Sequence, residues 1–541
     1  MTTTTGRLAR HGAVMAAGSF VSRLLGVVRQ SMIMMVFGRS LAGDAWAVAN
    51  TLPNTIYLLL AGGVLNAVLV PQITKASRDP DGGREFVDRL LTLALLGIGV
   101  VTLVCVPAAP LLVRLFSSNS WGASQFGLSV LFAYIALPAI FFYGLYTILG
   151  QVLNAQERFG WYMWAPVLCN VVWIVGLGVF LARHGSGVGD PGAYTTQMVW
   201  LLSGSLTLGV AVQALVLLVP LYRSGFRYRP RWGFRGVGLA SASRVAGWTF
   251  AALVVSQVGL VVQSKVLTSV VRGDTGKLPY DSAFLLFMTP HGLITVSLVT
   301  ALFTSMSRAA AAGDDDAVRG GVRQGLTLTG IATVPIAIGT LVLGTCLSAV
   351  IFLGNTRQTT DAIGYLAMAM MVGLPAFAVY YVTQRAFFAY EDAKTPFWLQ
   401  IVNTGVAVAA ALGSLALPSE YRALGVAGGQ ALSNVVAAAI ALVLLRRRLG
   451  RLGLFTTVRT YVRVTLASLP AAALAYGIFV GAQLVLPGTL ALAVALVLGG
   501  VVFVGLFIVV ARRMRVRELD EVLDPVLRRL RGANRSGARS A

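Results

Sequence analysis

The stretch SRLLGVVRQ, residues 22–30, puts Arg23 and Arg29 inside an apolar run that extends from Ala13 to about Phe37. Guanidinium forks suit the paired oxygens of phosphates, so two of them on one helix suggest anion binding. On a helical wheel of about 100° per residue with Arg23 at zero, Gln30 falls near about −20°, Ser19 −40°, Gly26 −60°, Ser22 −100° and Arg29 −120°. All share about one third of the circumference, and the opposite face, Phe20, Val21, Leu24, Leu25, Val27 and Val28, is apolar. Gly26 leaves a notch between the two charges, which lie about 9 Å apart along the axis. Each arginine costs about 2.5–3.5 kcal/mol to insert at mid-membrane. Snorkelling suits span ends, which Arg23 is not near. Pairing with a carboxylate is the alternative, but Asp44 is the only acidic residue close by in sequence. An inward-facing, water-accessible site for a phosphorylated ligand fits better, built from Ser22, Arg23, Gly26, Arg29 and Gln30 with Asp44 and Asn54 of the following segment.

The surroundings are those of a membrane protein. Hydrophobic residues make up 57% of the 541 and charged ones 12%, about half the charge of a soluble protein, and mean hydropathy is +0.78. Apolar runs predict an all-α polytopic protein with about fourteen spans, near 13–37, 44–74, 90–115, 124–153, 161–182, 196–221, 243–270, 282–307, 324–353, 361–389, 396–417, 423–445, 462–485 and 488–511. The first lacks a small-residue cleavage pattern and reads as a retained span.

Lysine and arginine stay on the cytoplasmic side. With the N-terminus inside, inner segments hold about 33 of the 43 Lys and Arg, including Arg223, Arg227, Arg229, Arg231 and Arg235. Both termini are therefore expected in the cytoplasm. The net charge of +23 needs no nucleic acid to explain it; anionic phospholipids are the expected partners of these loops. Residues 512–541 read as a basic tail, a short amphipathic helix on the inner leaflet followed by a disordered tip. Cys105, Cys169 and Cys346 lack metal-ligand spacing and read as packing residues.

QVLNAQERFGWYMWAPVLCN (151–170) and QRAFFAYEDAKTPFWLQIVN (384–403) share a Gln, an Ala, an acidic residue, a Pro and a final Asn at nearly equal offsets. VPQITKA (70–76) and FTSMSRA (303–309) form a second pair. These predict parallel six-span repeats, residues 1–222 and 223–451, as two lobes in a V, with spans 13 and 14 (452–511) added. Span 2 carries Asn50, Pro53, Asn54, Gly62, Gly63 and Asn66, which suggest a kinked helix lining a cavity, and span 8 repeats the theme with Pro290 and His291.

SRLLGVVRQ, GDAWAVANTLPN, GGVLNAVLVPQI and FFAYEDAKTP together resemble the MurJ (MviN) family of lipid II flippases, in order along essentially the whole chain. The resemblance implies a bacterial inner-membrane transporter of the multidrug/oligosaccharidyl-lipid/polysaccharide exporter superfamily. Its substrate would be the undecaprenyl-pyrophosphate-linked peptidoglycan precursor, moved from the inner to the outer leaflet. Arg23, Arg29 and Asp44 match family positions associated with function. Gln30 replaces an acidic residue, Tyr57 stands where a basic residue is expected, and FLLFM before Pro290 lacks an arginine. Lys265 and His291 are the candidates to compensate. The resemblance also implies that spans 13 and 14 form a groove for the lipid tail, whereas their Ala and Gly alone indicate close helix packing.

No cofactor is expected. Coupling to membrane potential or an ion gradient is expected, the ion unspecified, as is contact with cell-wall synthesis or division proteins. A flippase for another polyprenyl-pyrophosphate glycan would use the same physics. A cation or drug exporter would favour carboxylates in its cavity, an enzyme would need a nucleophile or metal cluster, and a scaffold would leave the buried arginines unexplained.

Overall fold

The computed structural model describes residues 2–62, 84–156, 158–225, 227–232, 244–516 and 518–519, and regular structure among them is helical. The helices are α1 (Thr2–Phe37), α2 (Leu41–Leu60), α3 (Arg84–Cys105), α4 (Ala109–Phe116), α5 (Ala123–Ala136), α6 (Ala139–Ala155), α7 (Phe159–His184), α8 (Thr196–Leu215), α9 (Leu218–Arg223), α10 (Arg244–Leu267) and α11 (Lys277–Pro290). After a π turn, His291–Thr295, come α12 (Val296–Ala311), α13 (Asp315–Ile351), α14 (Arg357–Met371), α15 (Leu374–Ala389), α16 (Lys394–Gly413), α17 (Ser419–Leu449), α18 (Phe455–Val485) and α19 (Gly488–Arg513).

Among the described residues, twelve stretches are long and apolar enough to cross a membrane, and α14 with α15, bent by 47°, make a thirteenth. They coincide with thirteen of the fourteen expected spans. The remaining one, span 2, is described only to Gly62, so a count of fourteen is not established. Gly63, Asn66, the motif VPQITKA, Arg235 and most of the tail 512–541 lie outside the described residues. α2 runs through Pro53 without a break, and Gly62 lets it approach α10, where an added Cβ would come within 2.5 Å of Leu253 Cδ2.

The chain divides into two compact units: Met1–Ser282 with Ile351–Thr359 and Ala411–Ala423, and Ala283–Val350 with Thr360–Ala410 and Leu424–Ala541. In the first, Phe37, Trp46, Phe132, Trp173 and Tyr194 stack into one aromatic cluster, with Trp46 at 5.6 Å from Phe37, 5.1 Å from Phe132 and 6.3 Å from Trp173. The cluster pins together the ends of α1 and α2 and the faces of α5 and α7. Ser129 Oγ donates to Ala45 O at 2.9 Å, which small residues on α2 permit.

In the second unit, Val299, Met306, Val322, Tyr380, Phe387, Leu399 and Ala441 form one core. α13 supplies Ile331, Val334 and Leu343 to another, against Val464, Ala467, Ala471 and Ala475 of α18 and Leu492, Ala495 and Phe503 of α19. Lipid tails are as apolar as leucine, so such packing depends on small side chains that let helices approach closely. The turn between α15 and α16 is held by Asp392, which accepts from Thr395 N at 3.0 Å and pairs with Arg448 at 2.9 Å.

Gly373, at the bend between α14 and α15, sits against α17: a Cβ there would lie 2.6 Å from Ala431 Cα. Gly373→Ala is expected to cost about 1–3 kcal/mol and lower the melting temperature in detergent. Gly428→Ala, at an open position on α17, should not. Equal melting of the two variants would mean that this close approach is absent.

Candidate functional site

Arg29 is the polar centre of the first unit. Its Nη1 donates to Asn170 Oδ1 on α7 at 2.7 Å, and its guanidinium carbon lies 4.1 Å from the centroid of the Trp173 ring. Asn170 reaches back to α1 through Nδ2, which donates to Ser22 O at 2.9 Å and to Ser22 Oγ at 3.3 Å. Ser22 and Arg29 are two helical turns apart, so one amide on α7 holds both. The bond to Asn170 is the only hydrogen bond of this guanidinium among the described residues, and Nε is buried without a partner. Among the described residues the other four of its five N–H donors meet no acceptor. Away from water an unfilled donor costs several kcal/mol, and an anionic acceptor there gains correspondingly.

The rest of this helix face is divided. Gln30 Nε2 donates to Ser282 Oγ of α11 at 3.0 Å. Gly26, between the two arginines, has nothing within 4 Å of where a Cβ would stand, so the notch is open. Arg23 is exposed and has no partner among the described residues. The apolar face is exposed at Phe20, Leu24 and Val28. Asn54 is exposed and Lys265 half-buried on α10; neither side chain has a partner among the described residues.

Asp44 is buried, and its Oδ1 accepts from Leu278 N at 3.0 Å. It thus caps α11 from across the chain while sitting in the first turn of α2, and both helix dipoles favour a negative charge there. Gly276 makes the room: a Cβ would fall 2.0 Å from Asp44 Oδ2. α11 starts at Lys277, about five residues before the span expected from hydropathy. Lys277, 2% exposed, and Asp281 on its next turn pair at 2.9 Å.

His291 belongs to the second unit and is 3% exposed, packed against Phe377 at 4.3 Å and Tyr381 at 5.2 Å. Its Nδ1 and the Oγ1 of Thr295, in the same π turn, are buried without partners. The structure therefore gathers Ser22 and Arg29 around Asn170 and Trp173, bonds Gln30 and Asp44 to α11, leaves Arg23, Asn54 and Lys265 without partners among the described residues, and encloses His291 among aromatic rings. Asn170 and Trp173 escape the sequence reading as site residues. Asn170 closes one of the repeated motifs, a signal of its position but not of its partner.

The family described as lipid II flippase MurJ matches residues 33–499. The chain belongs to the MurJ family. Its probable lipid II flippase MurJ relative from Vibrio cholerae is 26% identical over 403 residues, 72% of this chain and 74% of the relative. That from Haemophilus influenzae is 25% identical over 476 residues, covering 83% and 89%. Among solved structures, a lipid II flippase MurJ in an inward closed conformation aligns with a TM-score of 0.71 at 18% identity, over 93% of this chain and 99% of that one. An inward-facing multidrug resistance MATE family transporter of the MOP superfamily aligns at 0.67 and 16%, over 82% and 99%. These two establish a shared helical fold. The MurJ match begins after Arg23 and Arg29 and includes Asn170 and Trp173.

Asp44→Ala removes the cap on α11 and is expected to cost about 0.5–2 kcal/mol. Asp44→Asn keeps an acceptor for Leu278 N and should retain most of that stability while removing the charge. Thermal unfolding of both variants in detergent checks this; equal loss would show that charge, not capping, matters.

Proposed function

We propose that this chain carries lipid II from the inner to the outer leaflet of a bacterial cytoplasmic membrane by alternating access, with both of its termini in the cytoplasm. The observation that carries the reading is Arg29: a guanidinium held in place by Asn170 and Trp173, most of whose donors meet no acceptor among the described residues. Arg23 is exposed one notch away, so Gly26 leaves room for a pyrophosphate between the two forks. The names of the relatives supply the lipid, and membership of a transporter family argues for translocation rather than chemistry on it.

Ties at the ends expected to face outward support loading from the inner side. Asp44 caps α11, Gln30 meets Ser282, Arg39 Nη2 donates to Gln358 Oε1 at 3.2 Å, and Arg422 Nη1 donates to Ser269 O at 2.9 Å. The polyprenyl tail is too long and apolar for a polar chamber and stays in lipid beside α18 and α19. On α19, a Cβ added at Gly499 would lie 3.3 Å from Leu343 Cδ2, whereas one at Gly500 would meet nothing within 4 Å. Gly500 is therefore the position that touches a tail. Membrane potential is the proposed drive, since one elementary charge crossing 100 mV is worth about 2.3 kcal/mol.

Depleting the protein is expected to lower outer-leaflet lipid II; unchanged leaflet distribution would remove this reading. Arg29→Ala should abolish flipping in sealed vesicles with insertion intact, and Arg29→Lys should restore part of it, because an ammonium lacks the fork. Gly26→Leu fills the notch, and its Cβ stands in open space, so it should block flipping with little change in melting temperature. Full activity of both Arg29→Ala and Gly26→Leu would assign this face a packing role.

A further inference from the structure

Beside Arg29 the first unit carries a run of four half-buried tyrosines that the phosphate chemistry does not use. Tyr57 of α2 stacks on Tyr143 of α6, centroids 5.4 Å apart at 30°, and its hydroxyl meets Thr147 Oγ1 at 2.5 Å. Thr147 in turn donates to Tyr143 O at 3.1 Å, which fixes the pair. Tyr146 of α6 stacks on Tyr162 of α7 at 4.8 Å and 16°, and its hydroxyl donates to Tyr162 O at 3.0 Å. Gly150 makes space for that ring, since a Cβ there would lie 2.2 Å from Tyr162 Cε2. Tyr143 and Tyr146 are one turn apart on α6, and Tyr162 lies about two turns before Asn170, the partner of Arg29, on α7, so the two stacked pairs adjoin on the helices next to the guanidinium. Asn54, one turn before Tyr57 on α2, leaves its amide exposed and unpartnered among the described residues.

We propose that this series, with Tyr57 at its centre, is a sugar subsite that stacks against the glycan of the carrier-linked substrate while its pyrophosphate engages Arg29. The reading rests on the proposed transport of lipid II. A pyranose presents a flat face of C–H bonds ringed by hydroxyls. The electron-rich faces of phenol rings accept the first, and an amide such as that of Asn54 bonds the second. In a polyprenyl-pyrophosphate glycan the first sugar is joined directly to the pyrophosphate, so the ring adjoining the guanidinium meets it. A basic residue at 57 would extend the phosphate site; an uncharged ring extends it toward the sugar instead. Tyr57 thereby contributes selectivity for glycosylated over bare carrier lipid.

The test compares binding of lipid II and of undecaprenyl pyrophosphate, which has no sugar, to the full chain in nanodiscs. Tyr57→Leu, which keeps an apolar side chain but has no aromatic face, is expected to weaken lipid II binding roughly three- to tenfold and leave undecaprenyl pyrophosphate unchanged. Tyr57→Phe should bind both lipids as the parent chain does. Tyr143→Leu should give the same split as Tyr57→Leu and serves in its place if that variant does not fold. Equal weakening for both lipids, or no weakening for either, would overturn the subsite. A parent chain that binds neither lipid would instead overturn the transport reading on which the subsite rests.

Discussion

A guanidinium is costly wherever water is scarce, and the first unit is organised around lowering that cost at Arg29 without removing it. Asn170 and Trp173 are both neutral. A carboxylate in their place would neutralise the charge and close the site. A neutral amide and an aromatic face hold the side chain in one orientation and leave its field unspent. The surrounding arrangement follows from this. α7 must lie along α1 closely enough for one amide to span Ser22 and Arg29, and the cluster of Phe37, Trp46, Phe132 and Trp173 fixes that approach near one end.

The second unit uses different forces. With lipid on its outside, apolar contact between helices gains little from the expulsion of water, so stability depends on contact density. Alanines along α18 and α19 meet α13 with little side chain between the backbones. Hydroxyls that could compete for partners bond back into their own helix, as Thr329 does to Gly325 O and Thr333 to Thr329 O, each at 2.7 Å. The polar cost of a threonine-rich span is thereby met locally.

Span positions were legible because hydropathy alone decides whether a segment partitions into lipid, and Arg23 and Arg29 were legible because a permanent charge in such a segment has few explanations. Their surroundings were not. The Arg29–Asn170 contact joins residues 141 apart, and nothing local to either motif specifies it. The wheel groups Arg23, Arg29, Gln30, Ser22 and Gly26 as one arc but cannot show that neighbours partition it into pinned, bonded and open sectors. Asp44 read as a charge near the arginines, whereas a carboxylate's most available partner is a helix N-terminus, here one that begins at Lys277. That start was hidden because Lys277 and Asp281 lower the local hydropathy, although pairing at i,i+4 allows Lys277 to be buried.

The turn at His291–Thr295 gives the helical run Lys277–Ala311 two orientations within one crossing. A π turn inserts one residue into the helical repeat, which rotates everything after it by about 100° relative to an unbroken α-helix. Phe287 and His291 before and within the turn address Phe377, while Val299 and Met306, seven residues apart, form the stripe that enters the core beyond it. A single transmembrane segment thereby behaves as two short helices phased independently, and the sequence on either side of Pro290 is free to vary its apolar face without keeping step with the other.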